Sequence, residues 1–315
     1  MKGISFIPDD THIPFVKARM VAFAVSGLLM LASVGLFFTA GLNYGIDFRG
    51  GTLIEVRSKS GPADLGAMRS QLGGIGLGDV QIQEFGEPEE VMIRIEQQPG
   101  GDENQQGAIE KVKATLGDSV EYRRVEVVGP TVSGELVQSG TIAVLVALFA
   151  VLLYIWFRFE WQFSVGAVAA LVHDVTLTIG LFCLLQMEFG LSIIAAILTI
   201  VGYSLNDTVV VYDRVRENLR KYKKMDLAEL IDLSINDTLS RTTLTSLTTL
   251  IALLSLYIFG GEVIRGFTFA MIWGIVVGTY SSIFVAAPLL LYFGVKREWS
   301  GLGGAKVREP SPGQG

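Results

Sequence analysis

Long uncharged apolar runs dominate the pattern of hydrophobic and polar positions along this 315-residue chain. A helix that crosses a bilayer needs about 20 consecutive, mostly apolar residues. Six runs reach that length: Met20–Ala40, Leu136–Phe157, Trp161–Met187, Leu191–Tyr212, Thr238–Phe259 and Gly266–Val295. The pattern therefore predicts a polytopic α-helical membrane protein with six transmembrane helices. The last run is longer than a bilayer requires, and a tilt, an interfacial extension or a break near Pro288 could absorb the excess.

The region between the first two runs has a different pattern. Segments typical of β-strands occur at Thr52–Arg57, Val80–Phe85, Val91–Glu96 and Glu121–Val128, and helical patterns occur at Ala63–Leu72 and Ala108–Leu116. Glycine clusters and prolines separate these segments. The order βαββαβ predicts a ferredoxin-like α+β domain between transmembrane helices 1 and 2, with both of its helices on one sheet face.

Lysine and arginine are concentrated in the segments at one side of this topology. They precede the first run and follow the second, fourth and last, as Lys2, Lys17, Arg19, Arg158, Arg214, Arg216, Arg220, Lys221, Lys223, Lys224, Lys296 and Arg297. Basic residues in short loops mark the cytoplasmic side of a membrane. We therefore expect both termini in the cytoplasm and the α+β domain on the opposite, external side.

These patterns divide the chain into segments of distinct character. They are a cytoplasmic N-terminal segment (1–19), transmembrane helix 1 (20–40), the external α+β domain (41–135), transmembrane helices 2 and 3 (136–187), transmembrane helix 4 (191–212), a basic cytoplasmic loop (213–237), transmembrane helices 5 and 6 (238–295) and a cytoplasmic tail (296–315). The tail is rich in glycine and proline, which predicts disorder.

Composition narrows the possible functions. Half of the residues are hydrophobic (50%), 18% are charged and the mean hydropathy is +0.48, which excludes a soluble protein. The α+β domain contains more acids than bases, which argues against nucleic-acid binding. No G-x-x-x-x-G-K-[ST] phosphate loop, metal-spaced His or Cys, or nucleophile–base pair occurs in the sequence. We therefore expect no enzymatic activity, no cofactor and no metal.

Two opposite charges interrupt the apolar runs. Asp207 lies within the fourth run and Arg241 just inside the fifth. Charged residues inside a membrane cost a few kcal/mol or more on insertion, so they are usually paired and functional. The pair therefore indicates a membrane protein that is driven by ion movement. A static ion pair that orients transmembrane helices 4 and 5 is the alternative.

Other polar residues accompany this pair. Tyr203 and Ser204 lie one turn before Asp207, while Thr245 and Thr248 follow Arg241 on its face of the helix. The fifth run also contains Thr238, Ser240, Thr242, Thr243, Ser246 and Thr249, a hydroxyl-rich stretch that could hold waters between helices. His173 and Asp174 lie in the third run as a possible relay or a structural acceptor. We favour the structural role, because adjacent residues on a helix point apart.

Four segments together resemble the SecF family, the subunits that pair with SecD in a bacterial protein-export complex of the resistance-nodulation-division superfamily. They are Gly45-Ile-Asp-Phe-Arg-Gly-Gly51, Val128-Gly-Pro-Thr-Val-Ser-Gly134, Gly202-Tyr-Ser-Leu-Asn-Asp-Thr208 with its continuation Tyr212-Asp-Arg-Val-Arg-Glu-Asn218, and Ser240-Arg-Thr242. The resemblance covers residues 17–298. It implies a subunit of the bacterial inner membrane whose α+β domain (41–135) lies in the periplasm. Such an accessory subunit uses the proton motive force to help preproteins leave the SecY–SecE–SecG (SecYEG) channel after the SecA ATPase has inserted them.

The resemblance also implies roles for particular residues. Asp207 would bind and release the coupling proton and Arg241 would tune it, since the matching family positions are regarded as part of the proton path. Superfamily members carry two related six-span halves, so the second half would come from SecD. The Gly274-x-x-x-Gly278 spacing in the last run allows close helix approach, either within this chain or, as we favour, at a seam with SecD. A small-molecule or lipid efflux pump and a non-transporting assembly scaffold of the channel remain alternative functions.

Overall fold

A computed structural model describes residues 11–295. After a 3-10 turn (Phe15–Ala18), its helices are α1 (Arg19–Thr39), α2 (Ile46–Arg49), α3 (Leu65–Gly73), α4 (Asp102–Leu116), α5 (Pro130–Arg158), α6 (Trp161–Leu185), α7 (Leu191–Lys221), α8 (Leu227–Phe259), α9 (Glu262–Ser281) and α10 (Ala287–Leu289). The strands are β1 (Asn43–Tyr44), β2 (Gly51–Ser58), β3 (Val80–Phe85), β4 (Glu87–Ile95), β5 (Val120–Val128) and β6 (Glu188–Phe189). The predicted disorder of the tail 296–315 concerns residues outside this range.

Six helices in the described part of the chain are long and apolar enough to cross a membrane, which confirms the predicted architecture. The central helices are α6, α7 and α9, because 50%, 50% and 61% of their most apolar windows are buried. The corresponding values for α5 and α8 are 6% and 11%, so these two helices are peripheral. Helix α7 continues to Lys221 and α8 begins at Leu227, so the segment 213–237 that we described as a loop is largely helical.

The last transmembrane segment changes its helical geometry in mid-course. A π-helix, Ser282–Ala286, follows α9 directly, and the Ala287 amide donates to the Ser282 carbonyl five residues earlier. The irregular turn thus begins before Pro288, near which we expected a break. Proline has no amide hydrogen with which to reach the carbonyl four residues back, and a widened turn before it accommodates that loss.

Glycines on α9 bring it close to α7 within this chain. A Cβ atom at Gly274 would lie 2.2 Å from Ile200 Cγ1, and one at Gly278 would lie 3.0 Å from Ser204 Cβ. Both glycines therefore serve an internal contact, and our preference for a seam with SecD at this spacing is wrong. The spacing predicts close approach but does not identify the partner helix.

The α+β domain has the predicted ferredoxin-like topology. Its sheet order is β3-β4-β2-β5, and each neighbouring pair is antiparallel. Strand β2 is buried on both faces of the sheet, because its successive side chains point to opposite faces and both faces are covered. Ile54 and Val56 pack in the core formed with α3 and α4, whereas Leu53 packs with Met92 and Ile46 on the opposite face. That second face lies towards the helix bundle, because Ile46 belongs to the segment that follows α1.

A short joint connects the domain to the end of α6 and the start of α7. Strand β1 pairs in parallel with β6, and the Asp47 carboxylate accepts a 2.8 Å hydrogen bond from the Leu191 amide. Arg94 of the sheet forms a 2.9 Å ion pair with Glu188 of β6. The chain thus leaves α1 through a segment that is bonded to both the domain and the bundle.

Candidate functional site

Asp207 lies on the buried stripe of α7, with Ser204 and Val211 one turn to either side. Its side chain is almost completely buried, with 2% of the residue exposed. Thr279 of α9 provides a side-chain hydrogen bond to the carboxylate. The Oδ2 atom, however, is buried without a hydrogen-bond partner in the part of the chain that the structure describes. A buried polar atom without a partner costs free energy, so this carboxylate is incompletely stabilised.

Hydroxyl groups continue from Thr279 across three helices. The Thr279 and Ser246 hydroxyls are 2.7 Å apart, and the Tyr203 hydroxyl donates to Ser246 Oγ over 3.4 Å. These residues join α9, α8 and α7 beside the carboxylate of Asp207. Thr242, one turn from Ser246, is also buried, and no donor or acceptor contacts its hydroxyl among the described residues. The arrangement provides groups that can pass or orient a proton.

Arg241 lies outside this buried cluster. The residue is exposed, and within residues 11–295 no ion pair of 4.0 Å or less joins it to Asp207. The guanidinium still acts on the carboxylate through its charge at longer range. Asp207 and Arg241 therefore lie on adjacent helices, and no direct ion pair joins them within residues 11–295.

The threonines that follow Arg241 lie on the same outward face. Thr248 is exposed and Thr245 is half-buried, and both hydroxyls donate to carbonyls of their own helix. The buried stripe of α8 consists instead of Thr238, Thr242 and Ser246. Thr245 and Thr248 thus follow Arg241 on its face of the helix, as the sequence predicts, but their hydroxyls lie outside the buried cluster around Asp207. Each residue of a helix is rotated by about 100° from the one before it, so the stripe that begins at Arg241 and the stripe that contains Thr242 lie on different faces.

A second polar cluster surrounds Asp174, which is fully buried on α6. Its Oδ2 atom accepts hydrogen bonds from Ser204 of α7 at 2.5 Å and from Ser281 of α9 at 2.8 Å. Ser204 therefore belongs to the Asp174 cluster, although it precedes Asp207 by one turn. The serines position the carboxylate among three helices.

His173 contacts its neighbour Asp174 directly. The His173 Nδ1 and Asp174 Oδ1 atoms are 2.8 Å apart, and both side chains are buried. The expectation that the two side chains point apart is wrong, because their torsion angles turn them towards each other although their Cα–Cβ bonds diverge. The other ring nitrogen, Nε2, lies 3.2 Å from Ser26 Oγ of α1.

Helix α9 contributes residues to both clusters that sequence patterns did not single out. Thr279 contacts Asp207, Ser281 contacts Asp174, and Tyr280 between them contacts Ser26 and the carbonyl of Ala22. Uncharged hydroxyl residues are common in transmembrane helices, so neither hydropathy nor charge distinguishes these three positions. They immediately precede the π-helix Ser282–Ala286, and such turns occur often at functional sites.

Metal binding has no evident place in these clusters. Across residues 11–295, no group of three or more His, Cys, Asp or Glu side chains is arranged to hold a metal ion. The chemistry that the clusters offer is proton binding at carboxylates and imidazole, with hydroxyls as hydrogen-bond partners.

Comparison with known proteins places the chain in a family. The C-terminal family model of the protein export membrane proteins SecD and SecF matches residues 108–296, and the SecD/SecF GG motif matches residues 35–61. The second match includes Gly50 and Gly51, where the joint meets β2. The resemblance drawn from short motifs is thereby confirmed.

Individual relatives agree along most of the chain. A protein translocase subunit SecF from Cereibacter sphaeroides is 49% identical over 303 residues, which cover 93% of each chain. A protein translocase subunit SecDF from Brucella abortus is 45% identical, covering 94% of this chain and 39% of the relative. The crystal structure of SecDF from Thermus thermophilus, a translocon-associated membrane protein, has a TM-score of 0.82 and 37% identity, covering 91% of this chain and 39% of that one. The chain therefore belongs to the SecD/SecF family of protein export membrane proteins.

Proposed function

We propose that this chain is an accessory subunit of the Sec protein translocase. It works with SecD and uses the proton motive force to promote late, periplasmic-side steps of preprotein export. The observation that carries the proton-driven part is the buried Asp207 carboxylate, which has one oxygen without a partner among the described residues. The names of the relatives, protein translocase subunits SecF and SecDF, support the assignment to protein export.

Asp207 is suited to exchange a proton because neither of its protonation states is fully stabilised. As a carboxylate, it has a nearby positive charge in Arg241 but no direct ion pair within the described chain. As an acid, it would supply a hydroxyl donor where Oδ2 now has no partner. A movement of Arg241 towards or away from Asp207 would shift the balance between the two states.

The proposed orientation gives this exchange a direction. Both termini lie in the cytoplasm and the α+β domain in the periplasm, because the basic residues concentrate at the opposite end of the bundle from the domain. A proton that crosses the membrane moves one charge through the potential, which is worth about 2.3 kcal/mol per 100 mV. That free energy can bias a conformational equilibrium of the bundle.

SecD is the proposed source of the second six-span half. Both SecDF relatives described above are longer, and this chain covers 39% of each. The joined SecDF chains support a complex in which the two parts pack together, and we propose that this complex binds the SecYEG channel. The preprotein emerging from that channel and, indirectly, the SecA ATPase would then be its further partners.

Replacing Asp207 by Asn tests the proposal. The variant keeps the size and hydrogen-bonding capacity of the side chain but cannot bind and release a proton. In proteoliposomes that contain the channel, SecA and the SecD complex, we expect the proton motive force to stimulate export by the wild type and to have no such effect on the variant.

Asp213→Asn is the matched control. Asp213 lies on the same helix, but its side chain is 42% exposed and paired with Arg158 at 2.8 Å, so its loss should leave the stimulation intact. A protonophore should lower export by the wild type and by Asp213→Asn to the level of Asp207→Asn. Full stimulation in the Asp207→Asn variant would refute the proposed coupling and favour the assembly-scaffold alternative.

A further inference from the structure

The buried pair of His173 and Asp174 is not used by the mechanism proposed above. We propose that these two residues form a second proton-holding site, which is linked to Asp207 through helix α9. The connection to Asp207 extends the proposed function and rests on it. The second site itself does not depend on that function.

The charge balance of the pair favours proton uptake. Asp174 and His173 are 0% and 1% exposed, and the ion pairs of the described residues provide Asp174 with no partner other than His173. A neutral imidazole beside a carboxylate leaves one uncompensated negative charge in the bundle, which is costly. One added proton makes the pair neutral overall, either as imidazolium and carboxylate or as imidazole and carboxylic acid. The pair is therefore expected to hold a single shared proton.

The hydrogen bonds around the pair suit this exchange. His173 uses Nδ1 towards Asp174 and Nε2 towards Ser26, so each ring nitrogen has a polar partner in either protonation state. Asp174 Oδ2 accepts hydrogen bonds from two serine hydroxyls, which stabilise its ionised form. Hydroxyl groups can rotate to donate or accept, so the surrounding network can adapt when the proton arrives or leaves.

Few other titratable groups face the pair. From α9, Tyr280 lies beside the imidazole with ring centroids 6.0 Å apart. From α7, Asp207 lies one turn beyond Ser204, and from α1 the contacting side chain is the uncharged Ser26. Within the described chain, no charged side chain of α5 or of the π-helix forms an ion pair with either residue. Tyr280 and Asp207 are thus the titratable side chains of the neighbouring helices that lie near the pair.

Helix α9 connects this pair to the Asp207 site. Consecutive residues of α9 contact Asp207 (Thr279), Ser26 of α1 (Tyr280) and Asp174 (Ser281). Any rotation of this segment changes both carboxylate environments together. The π-helix that follows directly provides a turn whose hydrogen bonds can rearrange locally.

The same contacts lead towards the α+β domain. Tyr280 hydrogen-bonds to Ser26 and to the Ala22 carbonyl, both on α1, and α1 continues into the joint at β1. Because two buried negative charges repel each other, loss of a proton from one site makes loss from the other more costly. The two sites would therefore exchange protons in a dependent order, and α1 would transmit the change to the domain.

Nuclear magnetic resonance of ¹⁵N-labelled histidine tests the site directly. The chain has 2 histidines, so His12→Gln leaves His173 as the single imidazole. The purified full-length chain in lipid nanodiscs is titrated with pH, and we expect the ring nitrogens of His173 to show one transition. Asp174→Asn should remove that transition or move its midpoint by about one pH unit or more. Ser281→Ala, which removes one donor to the same carboxylate, should move it less and serves if Asp174→Asn does not fold.

Two further variants separate the link from the site. Asp207→Asn should move the His173 midpoint, whereas the exposed Asp213→Asn should leave it unchanged. Two results would overturn the second site. One is that the His173 signals do not change with pH at all. The other is that the Asp174→Asn and Ser281→Ala variants both keep the same midpoint as the chain without these substitutions. A transition that responds to these variants but not to Asp207→Asn would overturn the link through α9. Since these spectra require no export, they stand apart from the export assay that decides the role of Asp207.

Discussion

At the scale of single residues, the glycine pair at the start of β2 shows how closely the domain and its joint fit. Gly51 has φ +112°, and a Cβ atom there would lie 2.4 Å from the Ile95 carbonyl oxygen. Gly50 before it also has a positive φ, +71°. Only glycine adopts such angles readily, and only glycine permits this approach of β2 and β4. Gly51 therefore combines a positive φ with a close approach of two strands.

Replacing Gly51 by Ala should destabilise the α+β domain by about 1–3 kcal/mol or more, because backbone strain and the collision with Ile95 add together. Thermal unfolding of the purified chain, followed by circular dichroism, measures the loss. Gly61→Ala is the control, since Gly61 has a similar φ of +100° but open space around its Cβ position. Equal losses in the two variants would show that the contact with Ile95 contributes nothing.

At the scale of elements, the joint between the sheet and the α6–α7 connection links the α+β domain to the helix bundle. The hydropathy pattern shows these two parts only as separate regions of the chain. Burial raises the pKa of Glu188 above its ordinary value of 4.5, and the Arg94 charge opposes that rise without cancelling it. The protonated form of Glu188 is thus favoured more in the folded chain than in the unfolded chain. Its contribution to stability is complete below pH 4.5 and is lost as the pH rises through the folded-state pKa.

Glu188→Gln, which cannot ionise, should remove this pH dependence. We expect the unfolding temperature of the wild type to fall relative to that of the variant as the pH is raised from about 4 upwards, with the difference constant once Glu188 is fully ionised in both states. Differential scanning calorimetry at a series of pH values measures it. Glu110→Gln, on the exposed side of α4, removes the same charge away from the joint and is the matched control. A wild type that gains stability with rising pH relative to Glu188→Gln would contradict the interpretation.

At the scale of the whole molecule, the two peripheral helices differ in what they expose. The outward face of α5 is apolar, with Leu145, Val146, Phe149 and Trp156 each more than 60% exposed. The outward face of α8 is also partly apolar, but it carries the charged Arg241 and the exposed Thr248. A charge that faces lipid is costly, whereas apolar side chains suit lipid well. The face of α8 therefore fits a protein partner, which we propose is SecD, and the face of α5 fits lipid.

Cysteine cross-linking distinguishes these two faces. In a Cys183→Ala background, which removes the natural cysteine, we expect Thr248→Cys to cross-link with cysteines on the partner SecD in native membranes. Phe149→Cys should react with a lipid-soluble reagent without forming that cross-link. The same cross-linking from both positions, or cross-linking from Phe149→Cys alone, would show that the partner covers a different face.

Most of the architecture was predictable because it depends on local pattern. The lengths of the apolar runs determined the six transmembrane helices, and the order of short strands and helices determined the ferredoxin-like domain. Asp207 was identifiable because a charge inside an apolar run is conspicuous whatever lies beside it. Each of these features can be recognised without knowing which helix lies next to which.

Tertiary structure alone decided which polar groups meet. Thr279 and Ser246 accompany Asp207, whereas Thr245 and Thr248 face outward, because helix rotation is set by packing against distant parts of the chain. The contact between His173 and Asp174 depends on side-chain torsions that the serines of α7 and α9 and Ser26 of α1 help to fix. Hydroxyl residues carry no charge and break no apolar pattern, so only the folded bundle shows which of them face the carboxylates.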